Sequence, residues 1–155
     1  MEFSPEAKKR LEHLLSRYPN KEAALLPTLH LAQREFGHIS NEAEAYVAAQ
    51  LDLPQSRVHG VATFYTMYNK KPVGKYHVQV CTNIGCSLLG ADGLLVYLEK
   101  KLGIKKGETT ADKRFTLNAV ECLGSCGTAP VMQINDDYYE NLTEKKIDEI
   151  LASLK

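Results

Sequence analysis

Over roughly the first seventy positions of the chain, apolar residues recur at helical spacing. Leu11, Leu14 and Leu15 form one stripe, in a segment opened by Ser4, a natural N-cap, and by Pro5, whose missing N–H costs nothing at a first helical position. The pattern predicts a second helix from near Asn20 to Gly37, a glycine suited to end it, with Pro27 either kinking it or dividing it in two. Ser40 is placed to cap a third helix. Pro54 opens a fourth, in which Val58, Val61 and Ala62 share a face ahead of the aromatic run Phe64, Tyr65 and Tyr68. At helical spacing those rings read as core or partner contacts, packing residues rather than a stacking box for a cofactor. The region as a whole reads as a helical bundle.

The segment Lys70 to Lys75, with Pro72 and Gly74, breaks the helical period and divides the chain into residues 1–72 and 73–155. Alternation of period two follows at once: Tyr76, Val78 and Val80 against His77 and Gln79, a half-buried strand running straight into Cys81. Ser87 is placed to cap a helix carrying Leu88, Leu95, Leu98 and Leu102, which stops at Gly103. Phe115 and Leu117 alternate with Thr116 and Asn118 in a second strand that reaches Cys122 a few residues later. Val131 to Ile134 forms a third strand, Asn135-Asp136-Asp137 a turn, and Tyr138 and Tyr139 belong to a fourth. Thr143 then caps a closing helix with Ile147, Ile150, Leu151 and Leu154 on its apolar face. The predicted fold class is α/β (α+β), an N-terminal helical bundle followed by a domain that resembles thioredoxin, with a four-stranded mixed sheet and flanking helices. A crossover between the first two strands makes them neighbours, so that loops distant in sequence meet at one sheet edge.

Composition narrows the function classes. With 19 basic and 19 acidic residues the formal charge is zero, so nothing points to nucleic acid. No run approaches the ~20 apolar residues a spanning helix requires, and Met1 to Lys9 lacks the apolar core of a signal peptide. The expectation is a cytoplasmic protein, for which any membrane association has to come through a partner, as it would at the inner face within a larger complex. No G-x-G-x-x-G or Walker pattern occurs, so no nucleotide-binding site of those kinds is expected in this chain. His13, His30, His38, His59 and His77 lie away from the thiols in sequence and read as surface or core-edge residues. Asp136 and Asp137 are turn formers, and the lysines at 100, 101, 105, 106, 145 and 146 read as solvated faces.

The chemistry lies in the four cysteines, which fall into two close pairs, Cys81 with Cys86 and Cys122 with Cys126. A chain of cytosolic character that spends every thiol in short-range pairs points to metal rather than to disulfides. A 2Fe-2S cluster needs four thiolates, and two pairs divide naturally into one pair per iron. Gly85, Gly90, Gly124 and Gly127 let backbone N–H groups approach the sulfurs. Ser87 at a helix start would set a positive dipole end near Cys86, and Ile84, Leu88, Leu123 and Pro130 would limit water access. A structural zinc site uses the same four thiolates, although the C-x4-C and C-x3-C spacings differ from the usual C-x2-C knuckle. A dithiol redox enzyme would want C-x-x-C, which is absent, and a free diffusing ferredoxin would have no use for the helical extension.

These residues resemble the 2Fe-2S subunit of NADH:quinone oxidoreductase, respiratory complex I, the one of E type, and its relatives in NAD-linked hydrogenases and formate dehydrogenases. The resemblance is carried by Val61-Ala62-Thr63-Phe64-Tyr65, Val78-Gln79-Val80-Cys81, Cys86 with Leu89-Gly90-Ala91, and Glu121-Cys122-Leu123-Gly124-Ser125-Cys126 with Ala129-Pro130. It covers nearly the full length. It implies a thioredoxin-like domain in which Cys81, Cys86, Cys122 and Cys126 hold one 2Fe-2S cluster. It further implies a helical region that docks onto a partner subunit carrying FMN and binding NADH, and an electron carrier that is not itself a complete enzyme. The loop Thr82-Asn83-Ile84-Gly85 departs from relatives that often carry a proline before the second cysteine. The same motifs serve respiratory, hydrogenase and formate dehydrogenase assemblies.

Overall fold

A computed structural model describes residues 1–154, which separate into two compact units, Met1–Pro72 and Val73–Lys155. In the first unit, helix α1 (Pro5–Arg17) starts as Ser4 and Pro5 require. The Ser4 hydroxyl accepts the Ala7 N–H at 3.2 Å, a cap contributing about 1 kcal/mol. The predicted second helix is broken ahead of Pro27 rather than at it. A 3₁₀ turn (Glu22–Ala24) leads into α2 (Leu25–Phe36), which places Pro27 in the first turn, where no intrahelical partner awaits its missing N–H. Gly37 ends α2 at φ 80°. Ser40 caps α3 (Asn41–Leu51) by accepting the Ala43 N–H, and Pro54 precedes α4 (Gln55–Phe64). Leu29, Ile39, Val47, Leu51 and Val58 form the centre of this unit's core, with Leu11 and Ala62 against them.

The aromatic run divides in a way its spacing does not predict. Helix α4 stops at Phe64; Tyr68 turns into the core and donates its hydroxyl to the Leu26 carbonyl at 2.9 Å, but Phe64 is 76% exposed and Tyr65 is exposed beside it. Packing therefore accounts for Tyr68 and not for Phe64. A second departure is Glu44, a carboxylate enclosed in the α3 face of the core. It is held by Lys70 and by the His59 ring nitrogen Nδ1 at 2.9 Å, so the buried charge has partners on both oxygens.

The second unit is a four-stranded mixed sheet with strand order β2-β1-β3-β4. Strand β1 (Tyr76–Cys81) pairs in parallel with β2 (Phe115–Val120) and antiparallel with β3 (Met132–Ile134). Strand β3 pairs antiparallel with β4 (Asp137–Tyr139) through a turn at Asn135, whose φ is 55°. The parallel pair is joined by the crossover that contains α5 (Ile84–Leu88) and α6 (Ala91–Leu102), and α7 (Glu144–Ser153) closes the unit behind its Thr143 cap. Val78, Val80, Leu98, Leu117, Met132 and Ile147 make the core.

On the polar face of β1, Gln79 is half-buried and His77 lies deeper. His77 is buried, and Asn118 Nδ2, which only donates, lies 2.7 Å from its Nε2, so the ring accepts there and is neutral. Burial pushes its pKa below the ordinary histidine value. The unfolded chain takes up this proton at a higher pH than the folded one does, so the contribution to stability is whole above the unfolded pKa of ~6.5 and shrinks as pH falls below it. Urea unfolding should show midpoints that drop from pH 7.5 to pH 5.5, with a smaller drop in His77→Gln.

Strand β1 begins tightly against its neighbour. The Gly74 N–H donates to Thr116 Oγ1 at 2.7 Å, and a Cβ at Gly74 would stand 2.9 Å from the carbonyl carbons of Arg114 and Phe115. Those are backbone atoms and cannot swing aside. Gly74→Ala should therefore destabilise this unit by about 1–3 kcal/mol, read as a lower melting temperature.

Candidate metal centre

The sheet topology brings the two thiol pairs together. Cys81 ends β1 in register with Val120, which ends β2, and parallel pairing makes both strands deliver their loops at the same end of the sheet. The Val120 carbonyl accepts both the Thr82 N–H at 3.0 Å and the Thr82 hydroxyl at 3.2 Å, locking the first loop to the second. Cys86 lies in α5, whose cap is Asn83: its Oδ1 accepts the Ile84 N–H at 2.8 Å. Ser87 thus lies within this single turn of helix and does not open the long one; its hydroxyl pairs instead with Asp92. The long helix α6 starts behind Gly90, at φ 93°. A five-residue turn carries too few aligned peptides for the dipole expected beside Cys86.

From the other side, the segment after β2 carries Cys122 and a 3₁₀ turn (Cys126–Thr128). The Gly124 N–H donates to Cys122 Sγ at 3.3 Å, from a backbone at φ 73° that favours glycine. Gly85 faces this loop: a Cβ built there would lie 3.9 Å from both Cβ and Sγ of Cys126, a close approach between residues forty positions apart. Gly90 and Gly127 make no such approach.

All four thiols are free, and they touch one another across the two pairs, Cys81 with both Cys86 and Cys122, and Cys86 beside Cys126. They differ in depth. Cys81 and Cys86 are buried with Ala91 and Val131, flanked by Leu123 and Ala129, whereas Cys122 and Cys126 are exposed. Pro130 is buried beside them, but Ile84 and Leu88, expected to shield the site, are 73% and 80% exposed. Their side chains leave the far face of α5, because its near face is taken by Cys86.

The two buried thiols are driven in opposite directions. For Cys81, burial works to raise the pKa, but N–H groups of Asn83 and Leu123 and the thiols of Cys86 and Cys122 outweigh it and hold the group below the ordinary thiol value. Cys86 is pushed up, first by burial and then by its contact with Cys81. Backbone donors that lower a thiol's pKa favour the anion, the form in which sulfur ligates metal.

Among the described residues no three or more His, Cys, Asp or Glu side chains are spaced to share one metal ion. A two-iron cluster asks for something else, two thiolates on each iron, and the donor set fits it. Four free thiols converge from two loops, Cys81 touching Cys86 and Cys122 and Cys126 lying beside Cys86, with backbone N–H groups aimed at the sulfurs of Cys81 and Cys122. Sequence reasoning found the thiols and two of the glycines. It missed Asn83, whose position one residue before α5 was the available signal, and a hydroxyl–carboxylate cluster behind Cys126, built by Ser125, Thr128 and Glu140.

Residues 11–155 match the thioredoxin-like 2Fe-2S ferredoxin family. The E-type subunit of NADH-quinone oxidoreductase from Rickettsia prowazekii (strain Madrid E) is 52% identical over 145 residues, covering 90% of this chain and 81% of its own. The E-type subunit numbered 2 of NADH-quinone oxidoreductase from Rhizobium meliloti (strain 1021) is 44% identical over 148 residues, covering 96% of this chain and 88% of its own. Among solved structures, the air-oxidized NAD+-reducing NiFe hydrogenase aligns with a TM-score of 0.72 at 25% identity, over 84% of this chain and 22% of the hydrogenase chain. No helix among the described residues is long and apolar enough to cross a membrane. Four converging thiols on a thioredoxin-like sheet, matched over nearly the whole length, make this chain a member of the thioredoxin-like 2Fe-2S ferredoxin family, an electron-transfer subunit of the E type found in NADH-quinone oxidoreductase, which carries one 2Fe-2S cluster.

Proposed function

We propose that Cys81 and Cys86 hold one iron of the cluster, Cys122 and Cys126 the other, and that the chain exchanges single electrons with the flavin of a partner subunit that oxidises NADH. The observation that carries this reading is the contact between the two thiol pairs at the common end of β1 and β2. Four protein thiolates leave no open position on either iron, so the site binds no substrate and passes electrons one at a time. A hydride donor delivers two, and a flavin is the cofactor class that can take a hydride and release electrons singly. Within this chain, the backbone donors at Cys81 and Cys122 hold sulfur charge, and Ala91, Val131 and Leu123 keep water from the inner pair.

The helical unit serves as the docking region. Phe64, Tyr65 and Met67, all exposed at the end of α4, supply apolar area of the kind partner interfaces use. The protein works at the cytoplasmic face, peripheral to the membrane through its complex. A second reading, the same role in a NAD-linked hydrogenase, is favoured by the likeness to the NAD+-reducing hydrogenase chain. The test is anaerobic co-purification of the full chain with each candidate flavin subunit, followed by addition of NADH. The expected result is bleaching of the visible cluster absorption only in the assembled pair. Assembly without bleaching would refute exchange with the flavin.

A further inference from the structure

A carboxylate stands behind the second thiol loop, and electron transfer as proposed gives it no work. Glu140 follows β4, and its Oε1 accepts two hydroxyl donors, Ser125 Oγ at 2.5 Å and Thr128 Oγ1 at 2.7 Å, with the two hydroxyl oxygens 2.7 Å apart. Ser125 immediately precedes Cys126 and Thr128 ends its 3₁₀ turn, so one carboxylate oxygen grips the turn on both sides of a thiol. The neighbouring backbone adds to the grip: Asn141 N–H donates to the Thr128 carbonyl at 2.7 Å, and the Tyr138 hydroxyl to the Leu123 carbonyl at 3.0 Å. A loop carrying two exposed thiols, with little apolar packing of its own, is thereby fixed from β4. The charged group facing Glu140 is Lys146, whose ammonium donates to the Glu140 main-chain carbonyl at 2.6 Å.

We infer that Glu140 is a positioning residue for the Cys122–Cys126 loop and that its charge biases the cluster against reduction. The inference rests on the ligand assignment proposed above. Both parts follow from the same geometry. Oε1 is the nearest carboxylate or carbonyl acceptor of both hydroxyls, the Ser125 carbonyl standing farther from Thr128 Oγ1 at 3.2 Å, so an acceptor at Oε1 is what ties the two sides of the turn to β4. A fixed negative charge close to a ligand turn raises the cost of adding an electron, and Lys146 offsets part of it.

The two parts separate by substitution. Glu140→Gln keeps an amide oxygen for both hydroxyls and removes the charge; Glu140→Ala removes both. In redox titrations of the full-length holoprotein under nitrogen, read by visible bleaching and by the paramagnetic signal of the reduced form, Glu140→Gln should move the midpoint positive. A roughly tenfold change in the reduced-to-oxidised ratio at fixed poise is expected, ~59 mV for a one-electron couple. Lys146→Gln, which leaves the carboxylate's bonds in place, should move it the other way. Glu140→Ala should lose its cluster in air several-fold faster than Glu140→Gln. An unchanged midpoint in Glu140→Gln, or in Lys146→Gln if the first variant does not load, overturns the electrostatic role, and equal air lability of the Gln and Ala variants overturns the positioning role. Wild-type protein without iron and sulfide overturns the ligand assignment and this inference together; loaded wild type with unresponsive variants overturns the inference alone.

Discussion

Cys86→Ser should strip iron and sulfide from the protein, with the visible absorption and the paramagnetic signal of the reduced form. Losing a ligand should weaken cluster retention by more than the ~10–100-fold typical of losing an outer hydrogen-bond partner. The same loss is expected of Cys81, Cys122 and Cys126, but the four differ in what remains. Cys86 is enclosed with Ala91 and Val131, so a serine there puts a smaller, more polar group where water cannot reach it and destabilises even the cluster-free fold by about 1–3 kcal/mol. For a unit of this size each kcal/mol is worth about 4–8 °C of melting temperature. Cys122 is exposed, and its serine variant keeps water as a partner. Cluster-free Cys86→Ser should therefore melt clearly below cluster-free wild type, while cluster-free Cys122→Ser should match it. Loaded protein should melt above both, because a ligand bound only by the folded state stabilises that state. If the two serine variants retain cluster, the ligand assignment fails.

Removing residues 1–72 should abolish binding to the flavin subunit and leave the cluster in place. The basis is that each unit has its own apolar core. The first is built on Leu29, Val47 and Val58, the second on Val78, Leu98 and Met132, and every thiol belongs to the second. A finer version keeps the chain whole. Phe64→Ser removes an exposed ring that meets Tyr65, itself exposed, edge-on at 4.9 Å, so thermal stability should hold within about 0.5 kcal/mol while affinity for the partner falls roughly tenfold or more. Pull-down and melting of the two variants check both halves. Undiminished binding after the deletion would remove the helical unit from the docking surface.

What the sequence disclosed was what local chemistry controls. Ser4, Ser40 and Thr143 cap the helices their positions indicated, because a hydroxyl and the N–H three residues on need no help from the rest of the fold. Gly37 and Gly103 stop α2 and α6 for the same reason, since each adopts a positive φ that costs glycine nothing. Period-two alternation located the strands and thereby the sheet end where the thiols meet. The readings that failed needed tertiary information. Ser87 and Asn83 are both good caps, and only the position of Cys86 against Val131 decides between them. Pro27 looked like a breaker, but a first-turn proline breaks nothing. Ile84 and Leu88 looked like shielding, but one turn of helix has a single inward face and Cys86 occupies it. Phe64 reads by spacing as a core or a partner contact, and the end of α4, by turning it outward, leaves only the second. The unequal depth of the thiols and the Glu140 clamp depend on how β4 and the crossover pack around the loops, which spacing does not encode.

If two loops far apart in sequence converge to hold one two-iron cluster on four thiolates, protein purified without oxygen should carry iron and acid-labile sulfide in a fixed ratio to the chain. Both are measured per chain and read together with the paramagnetic spectrum after dithionite. The expected result is close to two iron and two sulfide per chain, with a single two-iron signal that every Cys→Ser variant loses. Colourless protein with stoichiometric zinc and no sulfide would contradict it.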